Sequence, residues 1–252
     1  CDESEAFIEP SVIARKLLRK RGIKPEEMGL QKTVIFTFIE DMRKLLLEKL
    51  DVKEPTDKIF RAPFYNNPDG GPPFSIVGEP VGAPQAVILM EQLIGFGARR
   101  ILFLGLCGGL QEHTRIGDVV IPLHAHREEG TSFHYLPPDA VPTVSDEMLT
   151  AIEESAAGMD LSLQKGSLWT TDALYRETRA KIKKYRGMGV LGVDMEISAV
   201  YSVAQFRGIE AAAVLVISDE SAGPEWKPGF GSPLFHEANS RACDLAIDAA
   251  RR

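Results

Sequence analysis

Three carboxylates stand at two predicted junctions between strands and helices in the last third of the chain. Asp194 and Glu196 close a short apolar run and precede a helix, and Asp219 follows an apolar strand over 211–218. Because ligands of open α/β sheets bind beside the carboxyl ends of strands, these side chains are expected at one site. There, such groups can act as a general acid and can stabilise positive charge that develops during a reaction.

The three carboxylates differ in how easily a structural role explains them. Asp194 and Glu196 also fit a helix start, since capping and the helix dipole favour acidic residues there. Asp219 has no such alternative, because the segment 220–233 holds three prolines and three glycines and is not predicted to begin a helix. A carboxylate between a strand end and a mobile loop is placed like a general acid under a lid.

A glycine-rich segment at 105–109 allows a different chemistry. Cys107 within it, followed by Asp219 and His236, has the chain order of a hydrolase nucleophile, acid and base. No helix is predicted to begin after Cys107, however, so a loop whose amides approach a ligand, with a buried cysteine, is the favoured interpretation. A cysteine hydrolase remains the third hypothesis.

His124 and His126 alternate on a predicted strand and therefore share a face, as metal ligands can. No third ligand has motif spacing, so we expect no metal and no other cofactor.

Alternating strands and helices must position these residues. The predicted strands are 34–38, 74–77, 100–104, 118–123, 164–169 and 211–218, and the predicted helices are 40–50, 85–95, 146–157, 178–186, 195–207 and 234–250, with Pro/Gly-rich loops at 61–73 and 78–84. This order predicts an α/β fold with a largely parallel sheet covered by helices. A basic helix over 12–21 precedes it. We expect a helical extension over 1–30 and one catalytic domain over 31–252.

Composition narrows the class of protein. The 252 residues are 44% hydrophobic and 26% charged, which is typical of a folded globular domain, and the net charge of −7 argues against nucleic acid as a partner. Three dispersed cysteines do not form a disulfide framework, so a reducing cytoplasm is the expected location. The apolar runs are far shorter than the ~20 residues that cross a bilayer, and no membrane partner is expected.

Five segments in order resemble the nucleoside phosphorylase superfamily, which includes purine nucleoside phosphorylases, uridine phosphorylases and methylthioadenosine/S-adenosylhomocysteine nucleosidases. They are G-L-C-G-G-L-Q at 105–111, I-G-D-V-V-I-P at 116–122, G-S-L-W-T-T-D at 166–172, V-D-M-E-I-S-A-V-Y at 193–201 and V-I-S-D-E at 216–220. The resemblance implies a three-layer α/β fold with a mixed, partly barrel-like central sheet. It also implies a homo-oligomer, whether dimer, trimer or hexamer, with sites shared between neighbours.

The resemblance assigns roles to individual residues. Met195 and Glu196 match the pair that binds the ribose hydroxyls, and Asp219 matches the aspartate that protonates or hydrogen-bonds N7 of a purine. The implied activity is cleavage of the N-glycosidic bond of a purine-type nucleoside, and the alternative is a non-catalytic nucleoside-binding or storage protein on the same fold. Further candidate substrate-binding residues are Asp194, Trp169, Leu174, Cys107 and Gly108.

The group that accepts the sugar is left open between phosphate and water. Phosphorylases of the superfamily place arginine and Ser/Thr where this chain has Phe103 and Leu106, and apolar side chains supply no charged donors to phosphate. Candidate phosphate ligands are Arg43, one position away from the first phosphate-binding loop, and Arg61, which matches an arginine lent by a neighbouring subunit.

If water is the acceptor, Glu40 is the candidate residue that would activate it. It aligns with the glutamate that activates water in the nucleosidases, and it equally fits a first-turn acid of the helix that it begins.

Overall fold

The sheet is continuous across the part of the chain that the structure describes. The structure is a computed structural model that describes residues 6–59, 62–66, 73–78 and 81–252. The strands are β1 (Thr33–Thr37), β2 (Asp57–Ile59), β3 (Ala62–Tyr65), β4 (Phe74–Gly78), β5 (Arg100–Gly109), β6 (Val119–Arg127), β7 (Leu163–Thr170), β8 (Gly192–Asp194), β9 (Glu210–Glu220) and β10 (Lys227–Pro228).

Part of this sheet closes into a barrel. The strand order is β10-β9-β6-β7-β8-β5-β1-β4-β3-β2, and a further pairing between β9 and β5 closes a ring of five strands. Within the described residues, parallel pairs such as β5–β9 alternate with antiparallel pairs such as β5–β8 and β6–β9. The mixed, partly barrel-like sheet implied by the resemblance is confirmed, and the largely parallel sheet inferred from the alternation of elements is wrong.

Helices cover both faces of the sheet. They are α1 (Pro10–Arg21), α2 (Pro25–Met28), α3 (Glu40–Lys49), α4 (Ala83–Gly95), α5 (Asp146–Gly158), α6 (Arg179–Gly187), α7 (Ile197–Arg207) and α8 (Pro233–Arg251), with short 3-10 turns at Thr131–His134 and Leu174–Arg176. None of these helices is both long and apolar enough to cross a bilayer.

Two apolar cores separate the three layers. Side chains of α4 and α7 pack on one face, and those of α3, α5 and α8 pack on the other. Strand β9 serves both cores, because Ala213 and Leu215 face the first and Val214 and Val216 face the second. A strand buried on both faces reads as a continuous apolar run, which is why its position was predictable.

The N-terminal helix α1 begins with Pro10 and ends at Gly22, whose φ of 69° is the left-handed conformation that favours glycine. Ala14 and Leu18 are its buried residues. Close approach to α4 is shown at Gly95, where an added Cβ would lie 2.7 Å from the carbonyl oxygen of Pro10. The predicted extension is therefore a helix docked on the rest of the fold.

Two predicted loops differ from the structure. The segment 105–109 is not a loop but the end of β5, because β9 pairs with it on one side and β8 on the other. Within the predicted loop 61–73, residues 62–65 form strand β3, which pairs with β2 and β4. Residues 61 and 67–72 of this loop, and residues 79–80 of the predicted loop 78–84, lie outside the described residues.

Gly192 allows β8 to pair with β5 at the closure of the barrel. An added Cβ at this position would lie 2.9 Å from the carbonyl oxygen of Gly108 and 3.2 Å from Cys107 Sγ. We expect Gly192→Ala to lower the free energy of unfolding by ~1–3 kcal/mol, the usual cost of overpacking, in urea denaturation.

The matched control is Gly158→Ala, at the end of α5, where no atom lies within 4 Å of the added Cβ. This substitution is expected to leave the urea midpoint unchanged or slightly raised. Equal midpoints for the two variants would contradict the close approach at Gly192.

Candidate functional site

A cavity of about 250 Å³ opens where strands β5, β8 and β9 end. Carboxyl ends of strands are the usual ligand-binding edge of an α/β sheet. The described residues that line this nucleoside-sized cavity are Phe38, Ile39, Val81, Leu106, Cys107, Gly108, Leu174, Glu177, Val193, Asp194, Met195, Glu196, Ser218, Asp219 and Phe230. Most of the substrate-binding residues predicted from the sequence are therefore brought together.

Asp194 joins three elements at the bottom of the cavity. Thr170 at the end of β7 donates a hydrogen bond from Oγ1 to Asp194 Oδ1 at 2.6 Å. The amides of Glu196 and Ile197 at the start of α7 donate to Oδ2 at 2.8 and 2.6 Å. Both oxygens of Asp194 are thus used by the protein, which matches the helix-start role considered for it.

Glu196 is a buried carboxylate whose hydrogen-bonding capacity is only partly used by the described residues. It is 1% exposed, and the amide of Gly82 donates to its Oε1 at 2.7 Å. Its Oε2 has no hydrogen-bond partner among the described residues. A buried polar atom without a partner is costly, so a ligand that donates a hydrogen bond here would remove that cost. Met195, half-buried beside it, also lines the cavity.

Burial shapes the electrostatics of this pair. Burial, offset in part by hydrogen bonds from Thr170 and the first turn of α7, raises the pKa of Asp194 above its ordinary value. Burial and the charge of Asp194 raise the pKa of Glu196 further. Burial therefore disfavours the ionised form of both carboxyls, and the charge of Asp194 disfavours it further for Glu196.

Asp219 lies near the end of β9, where β10 pairs back onto the strand. The hydroxyl of Ser218 donates to its Oδ1 at 2.6 Å, and the indole N–H of Trp226 donates to its Oδ2 at 2.7 Å. The indole is 61% exposed and belongs to the loop between β9 and β10. Asp219 is thus oriented by hydrogen bonds and faces the cavity, as a reacting group must be.

Gly108 makes room for that carboxylate. It is the partner of Asp219 in the parallel pairing of β5 and β9, and an added Cβ would lie 3.1 Å from Asp219 Oδ2. Cys107 next to it is 3% exposed, and burial raises the pKa of its thiol well above the ordinary value. His236 is exposed on α8 and does not line the cavity. These positions disfavour the cysteine-hydrolase hypothesis, because a nucleophilic cysteine needs a stabilised thiolate and a nearby base.

An aromatic wall stands at positions that the resemblance associates with phosphate binding, and it consists of Phe38, which lines the cavity, and Phe103, which is fully buried against it. The rings of Phe38 and Phe103 are 5.6 Å apart, and the ring of Phe38 covers Gly105 so closely that an added Cβ would lie 2.5 Å from it. Leu106 continues this wall along β5. The apolar character predicted here from the sequence is present in the folded chain.

Three predicted residues lie away from the cavity lining. Glu40 is exposed at the start of α3, where an ion pair with Lys44 at 2.8 Å lowers its pKa, an arrangement that fits its interpretation as a first-turn acid. Trp169 is fully buried in a separate core, with its ring stacked on Tyr185 at 4.4 Å. Arg43 lies with its guanidinium 5.9 Å from the centre of the Tyr65 ring.

Arg61, the second candidate phosphate ligand, lies outside the described residues. Among the described residues, no group of three or more His, Cys, Asp or Glu side chains is arranged to hold a metal ion, and the rings of His124 and His126 lie 6.0 Å apart.

Sequence reasoning did not identify Glu177, a half-buried carboxyl that lines the same cavity as Asp219. Burial and the nearby charge of Asp219 raise the pKa of Glu177 to about 7.

Sequence reasoning also did not identify Glu129. This residue is 1% exposed and accepts hydrogen bonds from Ser198 Oγ at 2.7 Å and from the Ser132 amide at 2.9 Å. Both glutamates stand among charged neighbours in the sequence, a pattern typical of a solvated surface.

The comparisons with known proteins agree with this geometry. The model of a family described as the phosphorylase superfamily matches residues 32–249. The DeoD-type purine nucleoside phosphorylase of Bacillus cereus (strain B4264) is 30% identical over 195 residues, which cover 73% of this chain and 83% of the relative. Relatives of the same name from Bacillus thuringiensis (strain Al Hakam) and Bacillus mycoides (strain KBAB4) are 29% identical over the same shares.

Thr170 is the hydroxyl on which the Asp194 junction depends. Besides donating to Asp194, its Oγ1 accepts a hydrogen bond from the Ser198 amide at 3.0 Å, and the residue is fully buried. Thr170→Val should leave both partners unsatisfied and lower the free energy of unfolding by ~1–3 kcal/mol in urea denaturation.

Thr150→Val, on the exposed face of α5, serves as the control and is expected to change stability by no more than ~0.5 kcal/mol. If both variants unfold at the wild-type midpoint, the Thr170 hydroxyl does not hold the junction.

Proposed function

Because the chain belongs to the phosphorylase superfamily, we propose that it cleaves the N-glycosidic bond of a purine-type nucleoside. The observation that carries this proposal is one cavity that combines an unpartnered oxygen of buried Glu196 with the oriented carboxyl of Asp219. The names of the relatives support a purine nucleoside as the substrate.

Glu196 binds the sugar in this proposal. A ribose hydroxyl donates to Glu196 Oε2, which thereby gains a partner that none of the described residues supplies. Met195 packs beneath the sugar ring, from its half-buried position in the lining. Negative charge on the carboxyls of Glu196 and Asp194 stabilises the positive charge that builds on the sugar ring as the bond breaks.

Asp219 acts on the base. When the C1′–N9 bond breaks, its electron pair enters the purine ring, and the charge is stabilised by a hydrogen bond or a proton that Asp219, in its protonated form, donates to N7. The hydrogen bonds from Ser218 and Trp226 hold the carboxyl in position for this contact, which supports a role in catalysis beyond binding alone.

Phosphate is the acceptor that we propose, so that a phosphate oxygen forms the new bond to C1′. Two observations support it: the relatives are named phosphorylases, and Glu40, the candidate for activating water, is not among the described residues that line the cavity. The cations Arg43 and Arg61 remain predicted phosphate ligands.

Hydrolysis is the second candidate, and the aromatic wall favours it. Phe38 and Leu106, which line that side of the cavity, give phosphate no charged donor there, and Phe103, which is buried against Phe38, offers none either. Water, which is small and neutral, needs no such donor.

A homo-oligomer also remains a prediction of the resemblance. Its support is the exposed apolar rim of the cavity, where Val81, Leu174 and Phe230 are each more than half exposed. Such a rim is typical of a surface that another chain covers. Sedimentation velocity of the purified protein should therefore show a species larger than the 27.7 kDa monomer, and a monomer at micromolar concentration would contradict this expectation.

The activity itself is tested with inosine and adenosine, each incubated with the protein in the presence and absence of phosphate. We expect release of the free base together with ribose 1-phosphate, and only when phosphate is present. Free ribose formed without phosphate would show that the reaction is hydrolysis and would contradict phosphorolysis. Nucleoside binding in calorimetry without any release of base would leave the non-catalytic binding protein as the better description.

Variants in the same assay test the proposed residues. Glu196→Gln and Asp219→Asn should each lower kcat/KM by ~10²- to 10⁴-fold, the usual contribution of a positioned acid or charge-stabilising group. The control is Glu153→Gln, which should leave kcat/KM unchanged. Glu153 is a partly exposed carboxylate on α5 that forms an ion pair with Lys165. Cys107→Ala should retain activity, whereas its complete loss would revive the cysteine hypothesis.

A further inference from the structure

Glu177 is a carboxyl that finds no hydrogen-bond or ion-pair partner in the described part of the chain. It follows the 3-10 turn Leu174–Arg176 and precedes Thr178, whose hydroxyl accepts from the Lys181 amide at the start of α6. Its own amide donates to the Leu174 carbonyl at 3.3 Å. The backbone is therefore fixed on both sides, while the side chain makes no hydrogen bond or ion pair with any described residue.

This carboxyl shares the nucleoside cavity with Asp219, and the two charges repel each other. Burial is the larger cause of its raised pKa, the charges of Asp219 and Glu128 add to it, and Lys181 opposes it. Lys181 is itself held by Glu128 at 2.8 Å. The other charged side chains that face Glu177 line an adjoining cavity and are Arg179, Lys183, Arg186 and Glu225.

The edge of a purine that carries N7 also carries the substituent at position 6. In a 6-oxopurine both N7 and O6 accept hydrogen bonds, whereas in a 6-aminopurine N7 accepts and the amino group donates. Glu177 lines the same cavity as Asp219 and is near enough for the two charges to interact, so we assign it to position 6 when Asp219 meets N7. The chemistry of its carboxyl then decides which substituent fits.

We propose that Glu177 selects 6-oxopurine nucleosides over 6-aminopurine nucleosides by donating a hydrogen bond from its neutral carboxyl group to O6 of the base. The proposal rests on the function proposed above, because it assumes that Asp219 contacts N7. It adds a specificity-determining residue on β7–α6 to the residues of the β8–α7 junction.

The same contact also assists the reaction. Electrons that enter the purine as the C1′–N9 bond breaks place negative charge on O6 as well as on N7. A fixed donor at O6 therefore binds the departing base more strongly than the intact nucleoside, which accelerates cleavage. The proton of Glu177 stays on the carboxyl throughout, so no additional acid or base is consumed.

The direction of the pH dependence follows from the charge state. With a pKa of about 7, Glu177 is mainly neutral and a donor at pH 6, and it is mainly ionised and an acceptor at pH 8.5. The ionised form suits the amino group of adenosine and repels O6. The preference for inosine over adenosine should thus be greatest at pH 6 and should fall as the pH rises through 7.

The experiment measures the ratio of kcat/KM for inosine to kcat/KM for adenosine between pH 5.5 and 9. Groups such as Asp219 that act on both nucleosides cancel in this ratio. We expect a preference of ~10-fold or more for inosine at pH 6, the size that one hydrogen bond to a group gaining charge gives, and a several-fold decline by pH 8.5.

Variants assign that preference to one side chain. Glu177→Gln, whose amide both donates and accepts at every pH, should keep both activities and remove the pH dependence of the ratio. Glu177→Ala should bring the ratio close to one. The control Glu225→Gln removes an exposed carboxylate of the adjoining cavity and should reproduce the wild-type profile.

Failure of this inference is distinguishable from failure of the proposed function. A wild-type ratio that does not change with pH, or that keeps its pH dependence in Glu177→Gln, overturns the role of Glu177 while nucleoside cleavage stands. If neither nucleoside is cleaved, calorimetry with hypoxanthine and adenine at pH 6 and 8.5 tests the same preference in binding. Equal affinities for the two bases in wild type and Glu177→Ala would then overturn it.

Discussion

Burial of carboxylates at the junction of β8 and α7 is the constraint on which the rest of the site depends. A buried charge is tolerated when hydrogen bonds replace its lost hydration. Asp194 meets this requirement with Thr170 from β7 and with two amides of the first turn of α7. Those bonds fix the end of the barrel and the start of α7, where Glu196 has one oxygen held by the Gly82 amide and the other without a partner among the described residues. The capping interaction of Asp194 thereby positions the unsatisfied acceptor to which we assign sugar binding.

Barrel closure imposes the second half of the site. Strand β5 pairs with β9 and with β8 at its last residues, and both pairings require positions without side chains. At Gly192 the missing side chain admits the backbone of β5, and at Gly108 it admits the carboxylate of Asp219. The glycines therefore act through the space that they leave, and the same feature that closes the barrel brings the acid on β9 into one cavity with Asp194 of β8 and Glu196 at the start of α7.

The sequence predicted those parts of the fold that local patterns encode. Strand β9 is an apolar run buried on both faces, and α6 begins at a Thr cap, so both were placed correctly. Glycines at 105–109 carry no strand signature, because their pairing partners are distant in sequence. Glu177 escaped notice because it stands in a basic segment typical of a solvated surface, and only the packing of α6 brings it to Asp219. For Glu40 the sequence left two roles open, because an alignment one strand long does not fix where a side chain points.

The four acidic side chains of the cavity differ mainly in how much of their hydrogen-bonding capacity the protein already uses. Asp194 receives three donors and Asp219 receives two, whereas Glu196 receives one from Gly82. Glu177 receives none from the described residues. Donors from the protein and from a ligand compete for the same lone pairs, so the least satisfied carboxyls are those that a ligand can engage most strongly. The neighbours of each acid, rather than its residue type, therefore decide its role. Asp194 is held by the structure, Asp219 is oriented by two donors, and Glu196 and Glu177 keep capacity to bind a ligand.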